Sequence, residues 1–399
     1  MLKEPELPQK ALHAAAEQAV GFAARQVHAT RQSWPPEGPA PVYTQQGRWH
    51  RPADLWTDWT PGFFAGQMWI LHRITGEASW RTAAEVHTVP LKQRRFDRDV
   101  HDLGFIFLPT WRRWYDLLEP GDPRREILED VLVTAGTVQS FRWREASDGT
   151  DGFVYSFNGP QSLFIDTLMN VRLLFWAGRH GAPAEVSDRA LSHARTTLRY
   201  LVRREGPGLG EQEGSTAHEA VFNAEAGRGE FRCLSTQQGY SPFSTWARGL
   251  AWGIYGFAEA HAWTGEGEFL DAAERCARFY LRRTPPDGVP YWDYGAPGIP
   301  EEPLDSSAAA VTACGLRILA RRPGCTDPQG FLRASARIAE TLLSETFLAQ
   351  GRKAEEGILL HGTYHRPRGW GVDASVLWGD YFFLELLERI ILGDPDPVA

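Results

Sequence analysis

Two aspartates in otherwise apolar surroundings carry the strongest chemical signal in the chain. Asp102 stands in VHDLGFIFLP (100–109) and Asp166 in SLFIDTLMN (162–170). Brought to one cavity, two carboxyl groups suit acid/base chemistry. Mutual repulsion and partial burial raise one pKa and keep a proton available near neutral pH, whereas a helix N-terminus pulls the other way. The plain alternative is that each caps a helix start by accepting hydrogen bonds from free amide donors. The residues alone leave both readings open. Asp305 in LDSSAAA and Asp373 in GWGVDAS are read as caps.

Arg248 and Trp252, four residues apart in STWARGLAWG, share a helix face and offer a planar cationic fork beside an aromatic surface. That pairing suits a carboxylated sugar; its ordinary alternative is an Arg paired to a surface Glu and a Trp in the core. Asn170 lies one helical turn beyond Asp166, placed to hydrogen-bond it or to satisfy a buried polar position. Trp59, in DWTPGFFAG, stacks on a sugar ring or staples a helix start. His218 and Gln238 fall in one long loop, as sugar-hydroxyl ligands or as surface residues.

Other chemistries find little support. There is no GxGxxG, P-loop lysine, HExxH or GxSxG, and the glycine-rich GPGLG at Gly206–Gly210 stands alone. Of the 12 histidines only His361 and His365 are four apart, and Gly362 and Pro367 put them in a loop rather than on a metal-binding helix. No metal and no cofactor are expected. Cys233, Cys276, Cys314 and Cys325 lack CxxC spacing, which argues against a zinc site or a disulfide scaffold. With 42 Lys plus Arg against 50 Asp plus Glu, a net charge of −8 provides no field to gather nucleic acid. Neither a signal-peptide pattern nor a membrane-spanning run is present, so a cytoplasmic protein, a monomer free of membrane or nucleic-acid partners, is expected.

The elements that position these residues read as helices throughout. Amphipathic segments at about 8–28, 78–88, 122–140, 185–204, 267–283 and 328–346 alternate with segments apolar all round at about 61–74, 102–118, 162–178, 247–263, 305–321 and 372–391. Links such as Thr75-Gly76-Glu77 and Thr264-Gly265-Glu266 are tight turns, whereas the links in the other direction are long and rich in Trp, Tyr, His and Arg. Six hairpins, each burying one helix, close into a double-walled all-α toroid, an (α/α)6 barrel. The inner helices then run parallel, and their N-termini meet the long loops at one mouth. On this reading residues 1–399 form a single catalytic domain; an open helical solenoid is the alternative.

The ordered motifs WTPGFFAGQMWILHRITGE (59–77), HDLGFIFLPTW (101–111), FIDTLMNVRLLFWA (164–177), QGYSPFSTWARGLAWGIYGFA (238–258), DGVPYWDYGAP (287–297), DSSAAAVTACGL (305–316), LLHGTYHRP (359–367) and GVDASVLWGDYFFLELLERI (371–390) cover most of the chain. Together they resemble the unsaturated glucuronyl hydrolases of glycoside hydrolase family 88. The resemblance implies an (α/α)6 barrel that removes a 4,5-unsaturated uronic acid from the non-reducing end of lyase-generated oligosaccharides, by hydrating the C4=C5 enol ether. By motif, Asp166 matches the general acid/base and Asp102 its supporting carboxylate. Trp59, His218, Gln238, Arg248 and Trp252 match substrate-binding positions, with Arg248 facing the uronate carboxylate and His218 matching less closely. The acid must then start protonated and Asp102 ionised. Where relatives tend to place a stacking Trp, this chain reads Val154-Tyr155-Ser156-Phe157-Asn158, so the aromatic contact falls to Phe157 or Tyr155. Where relatives often have a small polar residue before Gly-Val-Asp, it has Trp370, close to Arg366 and Arg368. The sister rhamnogalacturonyl hydrolases share barrel and chemistry, but HDLGF and WARGLAWG favour the first family. A non-catalytic carbohydrate-binding toroid would not need both aspartates, and a sugar epimerase would want a His pair at the mouth.

Overall fold

A computed structural model describes residues 2–145, 152–204, 210–223 and 229–395; the glycine-rich stretch 206–209 lies outside them. In chain order the helices are α1 (Gln9–Ser33), α2 (Pro61–Thr75), α3 (Ala78–Thr88), α4 (Leu103–Phe107), α5 (Arg113–Asp116), α6 (Arg124–Ser140), α7 (Thr167–Asn170), α8 (Arg172–Arg179), α9 (Ala184–Leu201), α10 (Ala247–Thr264), α11 (Gly267–Arg283), α12 (Ser306–Ala320), α13 (Pro328–Leu342) and α14 (Leu377–Leu392). Gly62 to Leu71 of α2 and Ala247 to His261 of α10 are buried without a break, whereas α1, α9 and α11 bury one face. Apolar residues on every face demand neighbours on every side. The inner helices meet that demand in a closed ring, α2 on α4, α4 on α7, α7 on α10, α10 on α12, α12 on α14, and α14 back on α2. The fold is the (α/α)6 barrel, and the open solenoid is excluded by this closure.

The tight links form as their residues dictate. Gly76 and Gly265 end α2 and α10 at φ of 72° and 74°, a left-handed conformation that glycine adopts without cost.

Three inner segments differ from the expected unbroken helices. Within 102–118, Pro109 has no N–H to donate, and Leu108–Arg112 takes the wider π-helical turn between α4 and α5. Within 162–178, a strand comes first, because a short apolar run such as Ser-Leu-Phe is equally suited to a strand. It belongs to a set of short strands in the long links: β1 (Tyr43–Gln45), β2 (Arg48–His50), β3 (Trp143–Glu145), β4 (Gly152–Val154), β5 (Ser162–Phe164), β6 (Glu219–Phe222), β7 (Phe231–Ser235), β8 (Gly362–His365) and β9 (Trp370–Ala374). They pair antiparallel as β1-β2, β3-β4, β5-β6-β7 and β8-β9. Within 372–391, β9 occupies the start and α14 begins only at Leu377. Asp373 is therefore no cap; it sits exposed on β9 at φ 55°, bound to His361 Nδ1 at 2.5 Å.

Helices α4 and α7 approach closely where Gly104 faces Asn170. A Cβ on Gly104 would lie 2.5 Å from Asn170 Cα and 2.6 Å from its carbonyl oxygen, both backbone atoms that cannot yield locally. Gly104→Ala is expected to cost about 1–3 kcal/mol of stability, as overpacking does. Urea denaturation read by tryptophan fluorescence checks this, and an unchanged midpoint would show that the two helices part freely.

Candidate active site

The inner helices separate the barrel into two ends. Their N-termini and the long links enclose a cleft lined by Trp56, Trp59, His101, Asp102, Phe105, Phe157, Asp166, Gln238, Trp246, Arg248, Trp252 and Tyr364. Around their C-termini lies a larger cavity of about 640 Å³. Its charged side chains neutralise one another, as in Arg113–Glu388 at 2.9 Å and Arg389–Glu385 at 2.8 Å. The paired aspartates stand at the N-terminal cleft, so that cleft, despite its smaller size, is the candidate site.

Asp102 and Asp166 occupy cap positions before α4 and α7, yet neither side chain makes a capping hydrogen bond. Asp305 is the contrast, since its carboxylate accepts from the Ser307 and Ala308 amides at the start of α12. At α4 the work passes to another helix: Asn170 Oδ1 accepts the Phe105 N–H at 2.8 Å. The Asn170 amide then donates to the Asp166 carbonyl at 3.2 Å and to Asp102 Oδ1 at 3.4 Å. It thus bonds the backbone of Asp166 rather than its carboxylate.

His101 completes the arrangement and was not among the residues singled out from the sequence as site members. Its Nε2 lies 3.4 Å from Asp102 Oδ1 and 3.5 Å from Asp166 Oδ1. The signal was its place in HDLGF at an inner-helix start, where the adjacent carboxylate drew attention instead. Arg142 fixes this corner by donating to the carbonyls of Arg98, Tyr155 and Ser156, which ties the segment before His101 to the segment before β5.

The two carboxyl groups are buried and titrate in opposite directions. Burial pushes Asp102 up to about 6, against the pull of His101 and with the push of Asp166. Burial works on Asp166 too, but the hydrogen bond from His101, with the pull of His218 and Arg248 beyond, outweighs it and holds this carboxyl below its usual range. This reverses the expected order, in which Asp166 carries the proton and Asp102 is ionised. The cause is placement: both carboxyls share His101, but His218 and Arg248 also pull on Asp166, whereas Asp102 bears the push of Asp166.

The other residues fall into two layers. Trp252 is buried in the cleft floor against Phe105, at 5.2 Å, and Trp59 leans on Trp378 at 4.7 Å. Phe157 lines the cleft and stacks on His101, whereas Tyr155 lies under the Arg142 guanidinium at 4.3 Å, so the aromatic wall is Phe157. Trp56 and Trp370 hold Arg368 between them at 4.3 and 4.7 Å. His218 is not part of the lining. Its Nδ1 accepts the Gln237 amide at 3.0 Å and so shapes the turn that presents Gln238.

Arg248 departs most from expectation. Nη1 donates to Asp305 Oδ2 at 2.7 Å and to the Thr363 carbonyl at 2.6 Å; Nη2 donates to Gln238 Oε1 at 2.9 Å and to the Tyr364 carbonyl at 2.7 Å. No paired Nη donors remain to grip a carboxylate. The reason is that the start of α10 faces β8 and the capped start of α12, whose oxygens, with Gln238 Oε1, engage both Nη groups. With Oε1 so engaged, Gln238 keeps its amide NH2 as a donor at the cleft.

Comparison with known proteins then places the chain. It is 36% identical over 354 residues to the unsaturated glucuronyl hydrolase of Bacillus sp. (strain GL1), a match spanning 84% of this chain and 87% of that one. The chain belongs to the unsaturated glucuronyl hydrolases. The crystal structure of unsaturated glucuronyl hydrolase from Bacillus sp. GL1 superposes with a TM-score of 0.81 at 30% identity, covering 94% of this chain and 96% of that one. The unsaturated chondroitin disaccharide hydrolase of Streptococcus pyogenes serotype M1 is 30% identical over 347 residues, 84% of this chain and 81% of that relative. No protein-family model matches. As a glycosidase of this family, the hydrolase carries its aspartate pair on the barrel seen in its relatives.

Arg248→Ala leaves the buried Asp305 carboxylate without its cation. Breaking such a pair is expected to destabilise the enzyme by about 3–5 kcal/mol. Chemical denaturation measures it, and a loss under about 1 kcal/mol would show that Asp305 is satisfied by its capping bonds alone.

Proposed function

We propose that this hydrolase removes a 4,5-unsaturated uronic acid from the non-reducing end of lyase-generated oligosaccharides. The observation that carries the reading is the pair of buried carboxylates that cap no helix and meet at one imidazole nitrogen. The relatives support it, being named unsaturated glucuronyl hydrolase and unsaturated chondroitin disaccharide hydrolase.

In the proposed reaction, Asp166 delivers a proton to C4 of the enol ether, and positive charge develops at C5 and the ring oxygen. An ionised Asp102 stabilises that charge in a site of low polarity. Water adds at C5 while its proton passes to Asp166, so the acid is restored and no other reactant is consumed. The resulting hemiketal opens and releases the neighbouring sugar. Trp59, Trp252 and Phe157 supply the apolar walls, the Gln238 amide binds a polar substituent, and Arg248 and His218 hold Gln238 in place. Adding water across an enol ether changes no oxidation state overall, so the chemistry calls for no redox cofactor.

The working unit in this reading is one catalytic domain spanning 1–399, a monomer in the cytoplasm. Ring closure of α14 on α2 supports the single domain, and four free cysteines suit a reducing compartment. Among the described residues no helix is long and apolar enough to cross a membrane.

Purified enzyme mixed with unsaturated disaccharides from chondroitin, hyaluronan or heparin is expected to abolish the ultraviolet absorbance of the conjugated enoate. Persistence of the absorbance with all of them overturns the reading. Asp166→Asn is expected to lower kcat by at least about 100-fold with substrate still bound, as loss of a general acid does; near-normal turnover would assign the acid elsewhere.

The pH dependence follows from the pair. Its last proton is held below about 6, where Asp102 is neutral, and is lost as pH rises through that value. Because kcat/KM reports the free enzyme, it is expected to fall on the alkaline side of about pH 6. A profile flat from pH 5 to 8 would contradict a singly protonated pair.

A further inference from the structure

We infer that His101 is a positioning residue that directs one Nε2 proton at both Asp102 and Asp166 and so keeps one carboxyl of the pair ionised while the other carries the proton. The inference rests on the hydration reading above. It is carried by what each face of the imidazole touches.

The Nδ1 face is fixed. The Phe157 backbone N–H reaches Nδ1 at 3.2 Å, and a backbone amide only donates, so Nδ1 carries no proton. The neutral ring must then hold its proton on Nε2. Phe157 stacks on the imidazole at 5.7 Å and 24°, and Phe164 meets it edge-on at 5.7 Å, which hinders a ring flip. Protonating Nδ1 would set two N–H groups against each other.

The Nε2 face is unsettled in a way that points to the carboxylates. Nε2 and Asp166 Oδ1 are both shielded from solvent, and neither has another hydrogen-bond partner. A buried donor left unmade costs about 1–3 kcal/mol, so a donor and an acceptor placed together here compensate each other. At 3.4 and 3.5 Å the proton is divided between two acceptors instead of being committed to one.

Surrounding charges do not by themselves keep the ring neutral. Burial opposes charge on His101, while Asp102 and Asp166 more than offset it and Arg142, reaching across from the end of α6, opposes them. The amide at Nδ1 blocks the second proton that the carboxylates invite. His193 on α9 stays neutral, held down to about 3 by burial with its Nδ1 accepting the Val154 amide, and His218, just before β6, is likewise lowered by burial. Arg94 faces Asp102 from the segment before it, and Arg248 faces Asp166 from α10.

During turnover the Nε2–H bond strengthens toward whichever carboxyl is ionised. As Asp166 gives its proton to C4, the imidazole N–H turns to the new carboxylate. When Asp166 recovers a proton from water, the bond relaxes toward Asp102. The imidazole itself gains and loses nothing.

Two variants separate this role from packing. His101→Gln keeps an amide donor and a carbonyl acceptor, and His101→Phe keeps only bulk. With His101→Phe, kcat is expected to fall by about 100-fold with KM changed less than about threefold, and the alkaline limb of kcat/KM to move up by about one pH unit, since both carboxyls lose the group that lowers them. His101→Gln is expected to recover at least about tenfold of the lost kcat. An unchanged limb in both variants, or equal rates for the two, overturns the inference.

A second measurement needs no activity and no altered fold. In long-range nitrogen–proton spectra of the unmodified enzyme, the signal absent from the His101→Gln spectrum is expected to show the neutral Nε2–H tautomer from pH 5 to 8. An Nδ1–H form, or titration to imidazolium in that window, overturns the inference. Failure to consume any enoate would sink the hydration reading and leave the tautomer result standing.

Discussion

Asn170 accepts the Phe105 amide at 2.8 Å, and through that bond helix α4 is capped from its neighbour instead of by its own Asp102. An aspartate bonded to the first amides of a helix is held ionised by those bonds and by the helix dipole. Released from that duty, Asp102 feels burial above all and rises to about 6. The exchange works only because Gly104 presents no Cβ to the Asn170 backbone, so a glycine that touches no substrate sets how near the two carboxylates stand. Asn170 then bonds both halves of the pair, the carboxylate of Asp102 and the carbonyl of Asp166. A distance between helices has become a property of two acids.

The opposite wall is built on a buried cation. Arg248 satisfies Asp305, two carbonyls of β8 and Gln238 at once, so the start of α10, the start of α12 and the 238 loop move as one body. Desolvating a guanidinium is expensive, and four hydrogen bonds, one of them to a carboxylate, offset that cost while fixing the Gln238 amide. Arg142 does the same for the loops that carry His101 and Phe157. A chain with net charge −8 thus keeps cations where they order the mouth, and the cleft presents fixed amide and aromatic groups.

The barrel was legible because hydrophobic periodicity states which faces need partners. The segments 78–88 and 267–283 coincide with α3 and α11 to the residue. It failed where one local rule overrode periodicity, as at Pro109, which lacks a donor, and at Ser162–Phe164, where a three-residue apolar run paired with β6. At the site, residue type was readable and partnership was not. Asp305 read as a cap, and the following serines supply the fit. Nothing in the chain near Arg248 announced that residues 305, 363 and 364 would saturate it, and nothing near Asp373 announced His361, because those partners are set by the fold. His101 was visible in HDLGF, yet its meaning lies 65 residues away at Asp166.

The lowered Asp166 and its assignment as acid are reconciled by charge. The pair and His101 titrate together, so the site of the proton depends on everything nearby. An unsaturated uronate brings its own carboxylate into the cleft. At an effective dielectric constant of about 20, a negative charge about 5 Å from Asp166 raises the energy of its ionised form by about 3 kcal/mol, or about two pKa units. In the proposed reaction Asp102 lies in the same field, and the charge that develops at C5 once Asp166 has protonated C4 favours an ionised Asp102. On that reading, a substrate carboxylate nearer Asp166 than Asp102 shifts the single proton toward the group proposed to deliver it.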